Sequence, residues 1–334
     1  MFVLAHLSDP HLVPLPEASL AELMGKRATG YFNWRVRRGG RHRSDVLERV
    51  VGDLLAQTPH HIAVTGDLAN LSLAAEFAPA RAFLARLAPP EHVTVVPGNH
   101  DAYVRAEALT HLSAWREYLS GDAAEEPRFP FVRKRGPVAL IGLSTALPTL
   151  PLSSAGRLGR AQIEALAGML ADLQTEGLFR VVLIHHPPAG RRAFHKRLID
   201  AAAFRAAIAE HGAELVLHGH DHRASLLEIA GPRGPVPVVG VPSASATADD
   251  PRGRGGYNLY RIAGRPGAWQ VEIERRGLDA AGNNVVVLEQ LTLGAEPAAP
   301  IVARPAAPKR RPKVSAARTP ARRRTAKRSR PARR

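Results

Sequence analysis

The chain has 334 residues, of which 45% are hydrophobic, and it carries a formal net charge of +16 with no cysteine. A chain of this length can bury a sizeable core, as one large domain or as two smaller ones. The absence of cysteine excludes a disulfide scaffold, a thiolate zinc site, an iron–sulfur cluster and a cysteine nucleophile, so any metal would be held by histidine, carboxylate or amide groups.

The N-terminal segment Met1–His6 has no basic leader ahead of a long apolar stretch, and it leads directly into a polar motif. We therefore expect no secretory signal. Apolar runs such as Val181–Ile184 are far shorter than the roughly 18 to 20 residues that a membrane span requires. Together these features predict a cytoplasmic protein.

Short apolar runs alternate with segments of helical spacing as far as Leu226, and this alternation predicts an α/β domain. The predicted strands are Phe2–Leu7, His61–Thr65, His92–Val96, Val181–Ile184 and Leu215–Leu217, and the predicted helices are Ser44–Gln57, Leu73–Leu87, Arg160–Glu176 and Ala201–His211. Beyond Leu226 we expect antiparallel strands that form or complete a second sheet packed on the first. These later strands are predicted at Val236–Val241, Tyr257–Ile262, Trp269–Arg275 and Val285–Leu293.

Polar clusters follow five of the predicted strands. They are Asp9-Pro10-His11, Gly66-Asp67-Leu68-Ala69-Asn70, Gly98-Asn99-His100-Asp101, His185-His186-Pro187-Pro188 and Gly219-His220-Asp221-His222. Because open α/β sheets bind ligands at the carboxyl ends of their strands, we expect the clusters to converge on one edge. Imidazole and oxygen groups suit divalent ions, and the candidates exceed what one four-coordinate ion requires, so we predict two metals.

These five blocks, in this order between Asp9 and His222, resemble the calcineurin-like metallophosphoesterases. The resemblance covers about the first two thirds of the chain and implies a four-layer α/β/β/α sandwich with two packed mixed sheets. It also implies a ligand set, residue by residue. The first metal would be held by Asp9, His11 and His222, the second by Asn99, His185 and His220, and Asp67 would bridge both.

The expected chemistry is hydrolysis of a phosphate ester. A carboxylate between two cations, such as Asp67, reduces their repulsion, and a water shared by the cations has a pKa depressed from about 15.7 towards neutrality. The bridging hydroxide would attack phosphorus in line. The resemblance assigns assistance of the leaving group to His100, whose usual aspartate partner is replaced here by Asn70, so we expect a less basic imidazole. Manganese, iron, zinc and cobalt all accept this ligand set.

Several residues of the blocks also have structural interpretations. Asp101 is typical of a turn cap, and Asp221 should point away from its two histidine neighbours. His186 would support the site or the fold, and His6 and His218 could support the ligands.

The sequence is compatible with three functions. The blocks are similar to those of the bacterial cyclic-nucleotide and glycerophosphodiester phosphodiesterases, which favours a phosphodiesterase. The alternatives are a phosphomonoesterase or a pyrophosphatase acting on a nucleotide or lipid precursor, and a polyanion-binding protein that acts through a basic tail beside a vestigial metal centre. The presence of all seven predicted ligands argues against the last.

Two basic segments near the predicted site bear on the substrate, although no substrate-binding residue is assigned. The segment at residues 26–43 combines basic groups with Tyr31, Phe32 and Trp34. It could recognise an anionic substrate with a planar base or a lipid headgroup, or it could be a solvated loop. The segment Pro187–Arg197 could form a basic rim that steers phosphate towards the site.

The positive charge is concentrated at the C-terminus. Residues 301–334 hold fourteen basic residues and no acidic ones, which leaves 32 basic and 30 acidic residues before them. We predict a metallophosphoesterase domain at residues 1–294, with motifs at 9–222 and C-terminal strands at about 236–293, followed by a disordered basic tail at 295–334. The tail could contact nucleic acid or an anionic membrane, or it could serve as a solubilising extension.

Overall fold

The structure, a computed structural model, describes residues 1–38, 40–105, 109–124 and 126–294. The described residues up to 294 belong to one compact unit. The predicted basic tail lies outside the described residues. Among the helices that are described, none is both long and apolar enough to cross a membrane.

Twelve strands and seven α-helices lie within the described residues. The strands are β1 (Phe2–Leu7), β2 (His61–Val64), β3 (Val93–Val95), β4 (Phe131–Arg135), β5 (Val138–Gly142), β6 (Phe179–Leu183), β7 (Leu215–His218), β8 (Ser225–Ile229), β9 (Val236–Gly240), β10 (Gly256–Arg265), β11 (Ala268–Leu278) and β12 (Val285–Leu293). The helices are α1 (Lys26–Asn33), α2 (Ser44–Ala56), α3 (Ala74–Leu87), α4 (Thr110–Ala114), α5 (Arg116–Leu119), α6 (Arg160–Thr175) and α7 (Ala201–His211). Short 3₁₀ turns lie at Pro90–His92 and Phe194–Lys196, and a π-helical turn at Trp34–Arg38 follows α1.

The strands form two six-stranded mixed sheets. The first sheet has the order β12-β11-β10-β1-β2-β3, with β1, β2 and β3 parallel and β10 to β12 antiparallel. The second has the order β4-β5-β6-β7-β9-β8, with β5, β6, β7 and β9 parallel and the two edge strands antiparallel. The predicted α/β class with two mixed sheets is confirmed.

Successive side chains along each strand point to opposite faces of the sheet and so belong to different layers of the core. Leu4 of β1 and Leu140 of β5 belong to one buried cluster shared by the two sheets, whereas Ala5 and Ile141 belong to clusters on the outer faces. Helices α2 and α3 cover the outer face of the first sheet, and α6 and α7 cover that of the second. Both faces of each sheet are covered, so the central strands are largely apolar. The layers follow the expected order of helix, sheet, sheet and helix.

The prediction for the later strands was partly wrong. Strands β10, β11 and β12 extend the first sheet, in which β10 pairs with β1, and they do not form a second one. The second sheet is built around β5, β6 and β7, and β9 joins it in parallel with β7. Periodicity identifies a strand but not its neighbour, so the sequence pattern alone could not assign these strands to a sheet.

The five motif-bearing strands are divided between the sheets. Strands β1, β2 and β3 belong to the first sheet, and β6 and β7 belong to the second. The polar clusters after these strands meet where the carboxyl ends of the two sheets lie side by side. The site is therefore built across the junction of the sheets and not on the edge of one.

Candidate metal centre

The seven predicted ligands lie together. The ligand atoms of Asp9, His11, Asp67 and His222 lie within 4.8 Å of one another, and so do those of Asp67, His185 and His220. Asn99, the seventh predicted ligand, places Oδ1 3.3 Å from His185 Nε2. Six of the seven are buried and His220 is half-buried. Asp67 is the member common to both groups, which is the position required of a bridging carboxylate.

The first group is compact. His11 Nε2 and His222 Nε2 lie 3.3 Å apart, and His222 Nε2 lies 3.2 Å from Asp9 Oδ1. Two nitrogen ligands at about 2.0 to 2.1 Å from one ion with near-tetrahedral geometry have a similar separation. Asp67 Oδ2 lies 3.8 Å from His11 Nε2. The donors are imidazole nitrogens and carboxylate oxygens, so the group fits a divalent ion of the borderline or harder type.

The second group is oriented by the backbone. His185 Nε2 lies 3.4 Å from Asp67 Oδ2, and its Nδ1 donates a hydrogen bond of 2.6 Å to the carbonyl of Thr65. His220 Nε2 donates to the carbonyl of Lys196 at 3.1 Å. A hydrogen bond from one ring nitrogen fixes the tautomer and leaves the other nitrogen available as a ligand. The second group therefore also fits a divalent ion.

The backbone at the site adopts conformations that non-glycine residues seldom use. Eight described non-glycine residues have positive φ, and five of them are predicted ligands: Asp9, His11, Asp67, His220 and His222, with φ between 41° and 68°. Such left-handed conformations cost free energy and cluster at functional sites. Each one turns the chain sharply after a strand, so that the side chain points back towards the junction.

Two glycines permit the close approach of the ligand loops. A Cβ at Gly98 would lie 2.2 Å from Asp67 Oδ1, and a Cβ at Gly219 would lie 2.5 Å from Asp9 Oδ2. Any side chain at either position would displace a predicted ligand. This explains why glycine precedes Asn99 and His220 in the two motifs.

The electrostatic environment keeps the two carboxylates ionised. Burial alone would raise the pKa of Asp9 and Asp67, but the neighbouring imidazoles, chiefly His222 for Asp9 and His185 for Asp67, hold both pKa values well below the usual range. Burial alone would lower the pKa of His185, but Asp67 and Asp9 outweigh it and raise the pKa to about 10. The site thus attracts positive charge, and a divalent ion would replace the proton on His185.

Two acidic residues of the motifs have structural roles. Asp101 accepts hydrogen bonds from the backbone amides of Gly98, Asp67 and Ala69 at 2.8 to 2.9 Å, as expected of a turn cap. Burial and the charge of Asp67 raise the Asp101 pKa to about 7. Asp221 points away from its histidine neighbours and accepts a hydrogen bond of 2.6 Å from Arg192 Nε.

Three further histidines lie behind the ligands. Both ring nitrogens of His186 are engaged, with Thr145 Oγ1 at 2.7 Å and the carbonyl of Ser154 at 2.8 Å, so His186 supports the fold of the site. His6 hydrogen bonds with Thr65 Oγ1 at 2.9 Å and so steadies the residue whose carbonyl orients His185. His218 donates to the carbonyl of Gly219, the residue before His220.

His100 lies beside both groups and faces the adjoining cleft. Its backbone amide donates to Asp67 Oδ1 at 2.8 Å, and its ring packs edge-on against His11 with the centroids 5.0 Å apart. Its Nδ1 donates to the main-chain carbonyl of Asn70, while the Asn70 side chain donates to the carbonyl of Leu12 at 2.8 Å. The imidazole is therefore oriented by a neutral backbone oxygen, which does not depend on the side chain at position 70.

His42 is the residue of the centre that sequence reasoning missed. Its ligand atom lies within 4.8 Å of those of His11 and His222, and its ring centroid lies 4.6 Å from that of His11. Its Nδ1 hydrogen bonds with Ser245 Oγ at 2.9 Å. No predicted strand leads to His42, so the rule that ligands follow strands could not identify it. His42 is placed at the centre only by a long-range contact, in which residues 41–43 pair with residues 245–247 beyond β9.

Replacing His42 with alanine should weaken binding of one of two metal ions by about tenfold, because a third imidazole would be lost beside His11 and His222. Calorimetric titration of the metal-free protein with Mn²⁺ would measure both affinities. His211→Ala, at the end of α7 in the outer helical layer, is the matched control. Unchanged affinity for both ions in the His42 variant would show that His42 does not act on the metals.

A cleft of about 720 Å³ opens beside the centre. Asn99 and His100 lie at its inner end. One wall comes from α1 and the following turn, with Phe32 and Trp34, and the other includes His195 and Lys196. The segment at residues 26–43 is thus not a simple loop, because it is helical at Lys26–Asn33 and brings two of its three aromatic residues to the cleft.

Lys26 lies behind the cleft lining, next to Tyr103. Its Nζ donates to Thr149 Oγ1 at 2.7 Å and lies 4.1 Å from the centroid of the Tyr103 ring, which stacks on His100. Burial lowers the Lys26 pKa to about 8, although Asp67 acts in the opposite direction. Lys26 therefore stays mostly protonated near neutral pH and places a positive charge close to the site.

Comparison with known proteins agrees with this geometry. Residues 2–224 match the family model described as calcineurin-like phosphoesterase. A dimetal phosphatase from Danio rerio is similar in structure, with a TM-score of 0.59 and 14% identity over 88% of this chain and 99% of that chain. A purple acid phosphatase from seeds of yellow lupin (Lupinus luteus) has a TM-score of 0.55 and 11% identity over 88% of this chain and 53% of that chain. No curated protein sequence matches the chain.

The chain belongs to the calcineurin-like phosphoesterase family. The family model covers all five motifs, from the loop after β1 to the loop after β7. Members of this family typically bind two divalent metals, and the described His and Asp clusters are able to hold metal.

Proposed function

We propose that the protein is a metal-dependent phosphodiesterase that uses two divalent ions. Manganese, iron, zinc and cobalt all accept this donor set. Asp9, His11 and His222 would hold one ion, and Asn99, His185 and His220 the other, with Asp67 between them. When bound, such a pair supplies Lewis acidity to the phosphate oxygens and an activated water as nucleophile.

The observation that carries the diester preference is the cleft beside His100. Its volume of about 720 Å³ gives room for organic groups on both sides of a phosphorus atom held at the centre. Among the lining residues that the structure describes, Lys196 is the one lysine and there is no arginine or carboxylate. A diester carries one negative charge where a monoester carries up to two, so this sparsely charged cleft suits the diester.

The protein side chains would have separate roles in the proposed reaction. Asp9 and Asp67 stay ionised and fix the positive charge of the site, and the carbonyl of Thr65 holds His185 in one orientation. Because Nδ1 of His100 carries the proton shared with the carbonyl of Asn70, Nε2 is the atom that would deliver a proton to the leaving oxygen. Burial of the centre excludes bulk water and strengthens each of these interactions.

Hydrolysis of two chromogenic esters tests the proposal. The metal-loaded protein should cleave bis-p-nitrophenyl phosphate with a kcat/KM at least about tenfold higher than that for p-nitrophenyl phosphate, because the second ester group would gain contacts in the cleft. Each ester is assayed with Mn²⁺, Fe²⁺, Zn²⁺ and Co²⁺ in turn. Faster cleavage of the monoester would contradict the diester preference. If neither ester is cleaved with any metal, the proposal that the protein hydrolyses phosphate esters is contradicted.

A further inference from the structure

A second, apolar groove adjoins the catalytic cleft. It has a volume of about 780 Å³ and is walled by residues 147–155 and 194–199. The side chains that form it are mostly aliphatic, with Leu150, Leu152, Phe194 and Ile199 among them. Leu152, Ser153 and His195 line both the groove and the catalytic cleft, so the two form one continuous depression that begins at the metal centre.

The apolar residues of this depression are strongly exposed. Leu150 is 81% exposed, Leu152 86% and Phe194 75%. Fifteen large hydrophobic side chains are exposed in the described part of the chain, and six of them line the cleft or the groove. An exposed apolar surface of this kind costs solubility and usually marks a site that is covered by a ligand or partner.

The walls of the groove are held together by backbone hydrogen bonds. The amide of Ser154 donates to the carbonyl of His195 at 2.8 Å, and that of Gly156 donates to the carbonyl of Arg197 at 3.1 Å. Thr149 Oγ1, which accepts from Lys26, donates in turn to the carbonyl of Ser153. The groove is thus a built feature of the fold.

The distribution of charge complements an amphiphile. Lys26 lies over the ring of Tyr103, which stacks on His100, and the Lys196 carbonyl accepts a hydrogen bond from His220. Both lysines are thus one residue removed from the metal centre, where an anionic phosphate would sit. The guanidinium of Arg197 lies over the ring of Phe194, 4.4 Å from its centroid, at the side of the groove. A planar base would need hydrogen-bond partners for its edges, which the aliphatic groove does not offer, whereas an alkyl chain needs only apolar contact.

The geometry points to an acyl-chain site: the substrate is a lipid phosphoester whose phosphate lies at the metal centre and whose aliphatic chain lies in the groove of residues 147–155 and 194–199. This assignment rests on the proposed function, because the metal centre positions the phosphate. It adds a substrate class, a phosphate ester carrying an alkyl or acyl chain.

Inhibition by n-alkylphosphonates, from methyl to octyl, tests the acyl-chain site. They are used below micelle-forming concentrations as competitors of bis-p-nitrophenyl phosphate, with the full-length, metal-loaded protein. A fully buried methylene changes affinity about fourfold, and we expect about half of that effect in an open groove, or about twofold per methylene. The inhibition constant should therefore fall about 16-fold from butyl to octyl phosphonate.

Two double variants test whether the dependence of inhibition on chain length comes from the groove. In Leu152→Ser/Phe194→Ser, the ratio of the butyl and octyl inhibition constants should fall below about threefold, because the apolar walls are lost. Both residues are exposed, so their replacement leaves the core intact. The matched control is Val287→Ser/Leu288→Ser on β12, where two exposed apolar residues lie outside both depressions, and it should keep the full ratio.

The possible results distinguish failure of the acyl-chain site from failure of the proposed phosphodiesterase function. Inhibition by methylphosphonate without dependence on chain length would overturn the acyl-chain site and leave the proposed function standing. A flat series combined with sedimentation of the protein on phosphatidylglycerol vesicles would also overturn it, and would show that the exposed residues dock on a bilayer. No inhibition by any phosphonate and no hydrolysis of the diester would overturn the proposed function itself.

Discussion

Asp67→Asn should lower kcat for bis-p-nitrophenyl phosphate by at least about 10³-fold. Asp67 Oδ1 accepts the backbone N–H of His100, and Oδ2 faces His11 and His185 at 3.8 and 3.4 Å. Asparagine can keep the first interaction only by turning its NH₂ group into the position of Oδ2. The substitution thus removes the negative charge shared by the two groups and places N–H donors where the ions would lie.

Turnover and metal content should be measured on the same preparations. We expect the Asp67 variant to retain fewer than two ions per chain by mass spectrometry, since neither ion keeps its shared carboxylate. Asp221→Asn is the matched control, because Asp221 lies between two predicted ligands but pairs with Arg192 outside the centre. Wild-type turnover in the Asp67 variant would rule out a bridging role for this residue.

His100→Gln should lower kcat by about 10² to 10³ for esters with a poor leaving group, and far less for p-nitrophenyl esters. A p-nitrophenolate leaves without a proton, whereas an alkoxide requires one. The variant should retain its metals, because His100 contacts the ligand groups through its ring and its backbone amide and is not a predicted ligand itself. A series of phenyl phosphodiesters with increasing leaving-group pKa would measure the effect.

The slope of log kcat against leaving-group pKa distinguishes the roles of His100. A steeper slope in the variant than in the wild-type protein identifies a proton donor. An equal loss for every ester would instead show that the imidazole only orders the loop, because Nδ1 ties it to the carbonyl of Asn70. Thermal unfolding of both proteins controls for a change in stability.

The positions of the central strands and of the predicted ligands could be read from the sequence because local rules control them. Apolar runs such as Phe2–Leu7 end in polar clusters, and the parallel strands of each sheet bring their clusters to the carboxyl edge of that sheet. The capping role of Asp101 could be read as well, since aspartate in a Gly-Asn-His-Asp turn accepts backbone amides.

Other features depend on tertiary contacts that no local pattern records. His42 joins the centre because its segment pairs with residues beyond β9, more than 200 positions later in the chain. The sheet to which β10 belongs is decided by its pairing with β1. The apolar groove is equally invisible in the sequence, because Leu150 and Phe194 read as ordinary hydrophobic residues until their exposure is known.

Construction of the centre across two sheets links metal uptake to folding. His11 follows a strand of the first sheet and His222 follows a strand of the second, 211 positions further along the chain. An ion held by both would close a very long loop and fasten the sheets to each other at one end. Metal supply would then govern the thermal resistance of the protein, because each ion bound only by the folded chain shifts the unfolding equilibrium in proportion to the logarithm of its concentration.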